Sequence, residues 1–252
     1  MSRASSARAA SASDAAGSSS KGRQAKGYFQ KSELPLHSLV FILPLLIIYE
    51  VGKQYYSTDV TAFVWMQDFL RLCGAYGRHL PALGVVGILL SWHIARKDSW
   101  QVAPKHLFGM ALESVALAIP LFLIGLVASR YLPMMMPTLG RAWAGRVVLS
   151  IGAGIYEELV FRLAAFAILS FLLVDVLEVP KGWAGLLMVV TSSLAFSLYH
   201  YWGYEPFQLR TFAFRTVAGF YFGAVFAFRG FGISAGSHAS YDIIVNTLRC
   251  MT

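Results

Sequence analysis

The sequence is poor in charged residues. Only 13% of its 252 residues are Asp, Glu, Lys or Arg, whereas 57% are hydrophobic. An average soluble domain has about 25% charged and about 45–50% apolar residues, and a chain of this size cannot bury so much apolar surface in one core. The composition therefore excludes a soluble globular protein and predicts that most of the chain lies in a lipid bilayer.

Cysteine is scarce as well. The two cysteines, Cys73 and Cys250, form neither a CxxC pair nor another spacing typical of metal ligands. This excludes a disulfide-rich secreted scaffold. The apolar stretches also lack the alternation of a membrane β-barrel, so the spanning elements are expected to be helices.

The net charge of +8 has two interpretations. In a soluble protein an excess of Lys and Arg would indicate a nucleic-acid partner. In a membrane protein these residues concentrate in cytoplasmic tails and loops, where they attract anionic lipid head groups. We therefore expect membrane lipids, and not nucleic acid, to be the partners of the basic residues.

Residues 1–35 differ from the rest of the chain. They are rich in Ser, Ala and basic residues and contain no apolar run, so they are predicted to form a disordered basic cytoplasmic tail. A secretory signal is excluded because the apolar core of such a signal is missing, whereas an organelle transit peptide is an alternative interpretation. The predicted organisation continues with N-terminal transmembrane helices over 36–140 and a C-terminal group of transmembrane helices over 141–252.

Beyond the tail, the chain consists of apolar segments with short polar breaks. Seven of them have nearly the length that a spanning helix needs: 34–51, 80–95, 107–128, 142–174, 183–199, 209–228 and 233–247. A shorter segment, 60–72, is predicted to be interfacial or re-entrant because it carries Asp68 and Arg71. The predicted fold class is therefore all-α: a polytopic membrane helix bundle of about seven to eight transmembrane helices. It follows that the protein is a multi-pass integral membrane protein, and we expect it in a bacterial inner membrane with its N-terminus in the cytoplasm.

Ionisable residues inside such segments are candidates for a functional site, because they usually face a bundle interior or a wet cavity. The strongest group is the EExxxR motif at Glu157, Glu158 and Arg162. Glu158 and Arg162 are four residues apart on a helix and can pair, whereas Glu157 points about 100° away. Since two adjacent carboxylates cannot both ionise cheaply in a low dielectric, Arg162 can neutralise one while the other serves as a general base. The alternative is an ion pair that only locks helix packing.

Two further motifs contain histidine. Phe196 and His200 form an FxxxH motif at the end of an uncharged segment, where a histidine could also simply contact lipid head groups. His238 and Asp242 form an HxxxD motif on one helix face, so Asp242 can orient or charge the imidazole. The alternative for this pair is an internal hydrogen bond without a catalytic role.

The three motifs, in this order on successive apolar segments, resemble the CAAX-protease and bacteriocin-processing (CPBP, or Abi) family, which includes the type II CAAX prenyl endopeptidases. The resemblance covers about residues 147–245, and the N-terminal half is similar only in having further membrane helices. It implies an intramembrane endopeptidase of the glutamate type, whose helices enclose a polar cavity. The C-terminal group of helices, 141–252, would then be the catalytic part.

The resemblance also implies a role for each motif residue. Glu157 would activate a water molecule that His200 helps to hold, while Glu158 and Arg162 would set the charge and position of Glu157. His238 and the residue at position 242 would stabilise the tetrahedral oxyanion.

Position 242 departs from the pattern of many family members, which carry Asn there. Asn can donate a hydrogen bond to an oxyanion, whereas an ionised Asp cannot. Asp242 would therefore either be protonated or act by orienting and charging His238.

The expected partner is a membrane-presented peptide or protein substrate, lipidated or not, and no cofactor is expected. A catalytic zinc held by Glu157, His200 and His238 is an alternative. Two other functions are open: a non-catalytic scaffold or bacteriocin self-immunity protein of the same fold, and a transporter that relays ions through the same residues. The transporter should show internal repeats, and the sequence has none that we detect.

Overall fold

The structure is a computed structural model of the chain, which describes residues 27–57, 59–131, 142–202 and 205–251. The secondary structure in this described part is helical, without strands. In chain order the helices are α1 Tyr28–Ser32, α2 Pro35–Tyr56, α3 Thr61–Leu72, α4 Leu80–Arg96, α5 Pro104–Tyr131, α6 Trp143–Val176, α7 Lys181–Tyr199 and α8 Leu209–Met251.

Five of these helices, α2, α5, α6, α7 and α8, are long and apolar enough to cross a membrane, and α4 is a shorter apolar helix. Each of the seven predicted apolar segments coincides with one of these six helices, with the last two sharing α8. The prediction of an all-α integral membrane protein is therefore confirmed.

Helix α8 holds two predicted segments because it folds back on itself at Gly230. Gly230 has a φ of 75° and a ψ of −178°, a conformation that costs glycine little and other residues much. The rings of Phe222 and His238 stack across the bend with their centroids 4.5 Å apart. The 209–229 arm and the 231–251 arm of α8 therefore lie side by side.

Helix α6 runs without a break over Trp143–Val176. The segment is longer than one span requires, and the structure shows one helix with two π-helical stretches, Leu159–Ala164 and Phe171–Val176. The first stretch begins directly after Glu158. Wide π-helical turns of this kind are frequent at functional sites, because they rotate side chains away from their regular positions.

Helix α6 and the 231–251 arm approach each other closely at Gly154. A methyl group at this position would lie 2.6 Å from the carbonyl oxygen of Ala235 and 2.7 Å from the amide nitrogen of Ala239. Small residues allow this kind of backbone contact between membrane helices. The contact places Glu157 and Glu158, in the middle of α6, against His238 of the arm.

The prediction of a disordered tail over 1–35 is wrong for the C-terminal end of this range, which is helical. Residues 1–26 lie outside the described residues. Residues Tyr28–Ser32 form helix α1. The Arg229 guanidinium donates to the Phe29 carbonyl at 3.3 Å and to Ser32 Oγ at 2.8 Å. These long-range contacts hold α1 against α8, and composition alone could not reveal them.

Candidate active site

The structure brings the EExxxR and HxxxD motifs into direct contact at His238. Its Nδ1 lies 3.0 Å from Oε1 of Glu158, and its Nε2 lies 3.8 Å from Oε2 of Glu157 and 3.8 Å from Oδ2 of Asp242. Three carboxylates therefore surround one imidazole. The i,i+4 relation between His238 and Asp242 forms as the sequence predicts.

Glu158 is fully buried, and its charge is compensated. Its Oε2 lies 3.4 Å from Nε of Arg162 and accepts a 2.6 Å hydrogen bond from Oγ of Ser234. Arg162 is also fully buried and donates through Nη2 to the carbonyl of Gly219 at 3.2 Å. The predicted pair between Glu158 and Arg162 thus forms, and Glu158 is committed to it.

Glu157 is held by a tyrosine that the sequence motifs did not single out. The Tyr199 hydroxyl donates to Oε1 of Glu157 at 3.0 Å, and it accepts from the backbone N–H of Ala62 at 3.1 Å. Tyr199 directly precedes His200 in the sequence, but Ala62 lies 137 residues away. A tyrosine beside a motif residue is no signal by itself, so only the tertiary contact identifies it.

A cavity of about 260 Å³ adjoins Glu157. This volume is several times the roughly 30 Å³ that one water molecule occupies in the liquid, so the cavity can hold water next to the carboxylate. The residues that line it through polar side chains are Asp59, Thr61, Arg146, Ser150, Glu157, Tyr199, His200, Asp242 and Asn246. Glu158 and Arg162 lie outside this lining, so Glu157 is the glutamate of the pair that meets the cavity.

His200 lines the same cavity in a defined orientation. Its Nδ1 lies 2.8 Å from the carbonyl oxygen of Phe196, the first residue of the FxxxH motif. Since a carbonyl can only accept, Nδ1 carries the proton of this hydrogen bond. In the neutral ring, Nε2 is then free of a proton and can accept a hydrogen bond from water. The motif spacing therefore selects the tautomer, because four residues is one helical turn.

The described residues contain no group of three or more His, Cys, Asp or Glu side chains arranged to hold a metal ion. Glu157, His200 and His238 nevertheless share one region, as the sequence predicts, since Glu157 contacts His238 and shares the cavity lining with His200. The arrangement can bind water beside a carboxylate and place a histidine ring near any group that the water attacks.

Residues 139–244 match the family model described as type II CAAX prenyl endopeptidase Rce1-like. No curated protein and no solved structure matches the chain. The matched segment contains all three motifs and Tyr199, whereas Ala62 and the α3 side of the cavity lie before it. The family implies a protease that works within the membrane, in agreement with the helices described above. The match over residues 139–244 supports the assignment of this segment to the CAAX-protease (CPBP) family.

Proposed function

We propose that the protein is a glutamate-type intramembrane endopeptidase that hydrolyses a peptide bond in a membrane-presented peptide or protein. One observation carries the proposal: of two adjacent buried glutamates, Glu158 is paired with Arg162, whereas Glu157 lines a cavity together with His200. A structural ion pair would need neither the second carboxylate nor the cavity. The name of the matched family makes prenylated CAAX peptides the first substrate class to test.

The first step is the activation of water. A water molecule between Glu157 and His200 donates one proton to the Glu157 carboxylate, and its oxygen attacks the carbonyl carbon of the scissile peptide bond. The Tyr199 hydroxyl holds Oε1 of Glu157 in place, which favours Oε2 as the atom that takes the proton. His200 accepts the second hydrogen of the water through Nε2 and thereby orients it.

The second step is the stabilisation of the oxyanion and the departure of the amine. The His238 ring donates to the oxyanion through Nε2, which requires a proton on both ring nitrogens because Nδ1 is bonded to Glu158. Preorganised donors of this kind supply a large part of the catalysis of acyl transfer. Glu157 then returns its proton to the peptide nitrogen, the C–N bond breaks, and a carboxylic acid and an amine result.

Asp242 acts in this scheme through His238. Its Oδ2 faces Nε2 of the ring at 3.8 Å, so its negative charge favours the imidazolium that donates to the oxyanion. The replacement of the common family Asn by Asp is thus compatible with the same chemistry.

We propose no cofactor, and a zinc ion bound near Glu157, His200 and His238 is the alternative that the test below includes. The expected partners are membrane lipids and the substrate peptide, without nucleic acid. We further propose that the basic N-terminal residues lie in the cytoplasm and that the protein belongs to a bacterial inner membrane.

The test is a cleavage assay with the full-length protein in liposomes and libraries of lipid-anchored peptides, including prenylated ones. We expect the wild type to cleave members of the library, Glu157→Gln to abolish the cleavage, and a chelator to leave it unchanged. Glu113→Gln, which changes another glutamate in a membrane helix, is the matched control and retains cleavage. Loss of activity with the chelator would support the zinc alternative, and the absence of any cleavage by the wild type would favour the scaffold.

A further inference from the structure

A second cavity lies at the C-terminal end of α2. Its volume is about 230 Å³, several times the roughly 30 Å³ that a water molecule occupies in the liquid, so a group larger than water fits into it. Its polar lining comes from α2, α3 and the loops that follow them, through Lys53, Gln54, Ser57, Asp59, Gln67 and Arg78. Among the described residues, Asp59 alone also lines the cavity beside Glu157. The two cavities are therefore neighbours with different linings.

The two cavities differ in charge. Three carboxylates and one arginine line the cavity beside Glu157. In the described lining of the second cavity, Lys53 and Arg78 face a single carboxylate, that of Asp59, which leaves one positive charge in excess. Ser57 and Gln67 add a hydroxyl and an amide, which can both donate hydrogen bonds. The second cavity is therefore suited to an anionic group.

Lys53 forms the buried floor of the second cavity. Its side chain is only 4% exposed, and its ammonium lies 3.8 Å from the centroid of the Phe63 ring. The ammonium donates to Oε1 of Glu50 at 2.8 Å and to the carbonyl of Arg78 at 3.3 Å. Since an ammonium has three N–H donors, one of them has no oxygen or nitrogen acceptor among the described residues. An acceptor bound in the cavity would satisfy this buried donor.

Arg78 lies at the exposed rim of the same cavity. No described residue accepts a hydrogen bond from its guanidinium or pairs with its charge. The bond from Lys53 to the Arg78 carbonyl holds this loop residue next to the buried ammonium. A guanidinium can bind a phosphate through two parallel hydrogen bonds, whereas an ammonium binds it as a point charge. The two side chains can therefore contact one anion from the rim and from the floor.

The position of the cavity favours a phosphate as this anion. The segment that becomes α3 is predicted to be interfacial, and α3 forms one wall of the cavity. The ends of α2 and α3 carry exposed aromatic and apolar side chains at Tyr55, Phe69, Leu72 and Tyr76. Aromatic side chains concentrate at the level of the lipid head groups, and this is where phospholipids carry their phosphates.

We propose that this cavity binds a phosphate group, with the Lys53 ammonium and the Arg78 guanidinium as its cationic ligands. A phospholipid head group and free phosphate share this chemistry, and the test distinguishes them. The negative charge of Asp59 in the same lining opposes the binding of an anion, so its removal strengthens the binding. The inference concerns binding alone and does not require peptidase activity.

The test measures lipid binding to the full-length protein in detergent micelles by native mass spectrometry. The probe is phosphatidylglycerol, and the reference is a phosphate-free glycolipid with the same acyl chains. We expect the wild type to bind phosphatidylglycerol more tightly than the glycolipid. Arg78→Gln should weaken the binding of phosphatidylglycerol about tenfold, as for one hydrogen bond to a charged group, and leave the glycolipid unaffected. Arg71→Gln is the matched control, since it removes an exposed arginine outside the cavity lining, and it should bind as the wild type.

Two further variants make the result independent of folding. Asp59→Asn should bind phosphatidylglycerol more tightly than the wild type, a gain that damage to the fold would not produce. Lys53→Gln should weaken the binding at least as much as Arg78→Gln, and its melting temperature is measured in parallel because Glu50 loses a charged partner.

Inorganic phosphate separates the two sources of the ligand. If millimolar phosphate displaces the lipid from the wild type, the cavity accepts phosphate without a lipid attached. If it does not, the phospholipid is the ligand.

Equal binding of phosphatidylglycerol and the glycolipid by the wild type, without binding of inorganic phosphate, would overturn the inference. An Arg78→Gln variant that keeps the wild-type preference for the phosphate-bearing ligand would overturn it as well. Neither outcome affects the cleavage assay, so a failure here is distinguishable from a failure of the proposed function.

Discussion

Helix α8 contributes to two clusters of charged residues, one partly buried and one buried, which differ in what their carboxylates can do. At the Gly230 bend, Arg229 binds both oxygens of Glu113, with Nε 2.5 Å from Oε1 and Nη2 2.9 Å from Oε2. The Tyr28 hydroxyl donates to the same Oε2 at 2.6 Å. Every oxygen of this carboxylate is thus occupied by donors from the protein.

The second cluster, around His238, contains three carboxylates, of which its arginine pairs with one. Arg162 pairs with Glu158, and the adjacent Glu157 meets the cavity. A charge pair between helices is therefore no indicator of a site, since the bend has one as well. What distinguishes the site is a second carboxylate, Glu157, which Tyr199 holds beside a cavity with room for water while the arginine pairs with Glu158.

Exchanging Glu for Gln in each cluster should separate the role of general base from that of structural ion pair most clearly. Glu157→Gln removes the general base and should lower kcat by about 100- to 10,000-fold, while stability is retained because the amide oxygen still accepts from Tyr199. Glu113→Gln should keep kcat within about threefold of the wild type and lower stability by about 1 kcal/mol, since it weakens charged hydrogen bonds of a partly buried group. Cleavage assays and denaturation in detergent measure both. A Glu113→Gln enzyme as inactive as Glu157→Gln would contradict the distinction.

Glu158→Gln should be the most destabilising single change in the site. It leaves the buried Arg162 guanidinium without its counter-charge, which costs about 3–5 kcal/mol. The double variant Glu158→Leu/Arg162→Met removes both charges and should recover much of this stability without recovering activity. Denaturation curves of the wild type, Glu158→Leu, Arg162→Met and the double variant form the cycle that measures the coupling. If the single variant unfolds like the wild type, the pair contributes little to stability.

Tyr199→Phe tests the hydroxyl that holds Glu157, the carboxylate of the site that meets the cavity. The variant keeps the ring but removes the hydroxyl that positions Glu157 and binds the Ala62 N–H. We expect kcat to fall about tenfold, as for one hydrogen bond to a charged group, and the activity to shift along the pH axis because Glu157 loses a donor. A merely structural tyrosine would change the melting temperature and leave the pH profile in place.

The smallest expected effect concerns the titration of Tyr28, whose hydroxyl donates to Glu113 at the Gly230 bend. Burial and the hydrogen bond to Glu113 raise the pKa of Tyr28 to about 12. Because the pKa is raised on folding, the stabilising contribution is fully present below pH of about 10 and is lost as the pH rises through about 12. Phenolate absorbance should show one group that titrates near pH 12 in the wild type and is missing in Tyr28→Phe. A midpoint near the ordinary value would mean that the contact with Glu113 is absent in solution.

Much of the fold could be predicted from the sequence, because a bilayer imposes both composition and length on each spanning helix. The apolar segments, the all-helical class and the pairs four residues apart all follow from local rules. Glu158 with Arg162, and His238 with Asp242, are pairs of this kind. The end of the polar tail was misplaced, since Arg229 holds helix α1 from nearly 200 positions along the chain.

Local sequence rules could not predict the contacts between distant segments. No periodicity relates Glu158 to His238, which lie 80 residues apart, or Glu113 to Arg229, which lie 116 apart. The motif order suggested that the three motifs share one site only through resemblance to a family. The geometry that separates Glu157 from Glu158 depends on which side of α6 faces Tyr199 and the cavity.

The sequence by itself determined that most of this protein lies in a lipid bilayer, and it identified the residues that are candidates for chemistry there. Lipid tolerates few charges, so each one that remains in a spanning segment is a candidate for pairing or function. Only the tertiary structure decided which of these candidates form ion pairs and which one faces a cavity. Ion pairs and cavities both depend on how the helices pack. Packing places an arginine beside Glu113 and another beside Glu158, whereas it leaves a cavity beside Glu157.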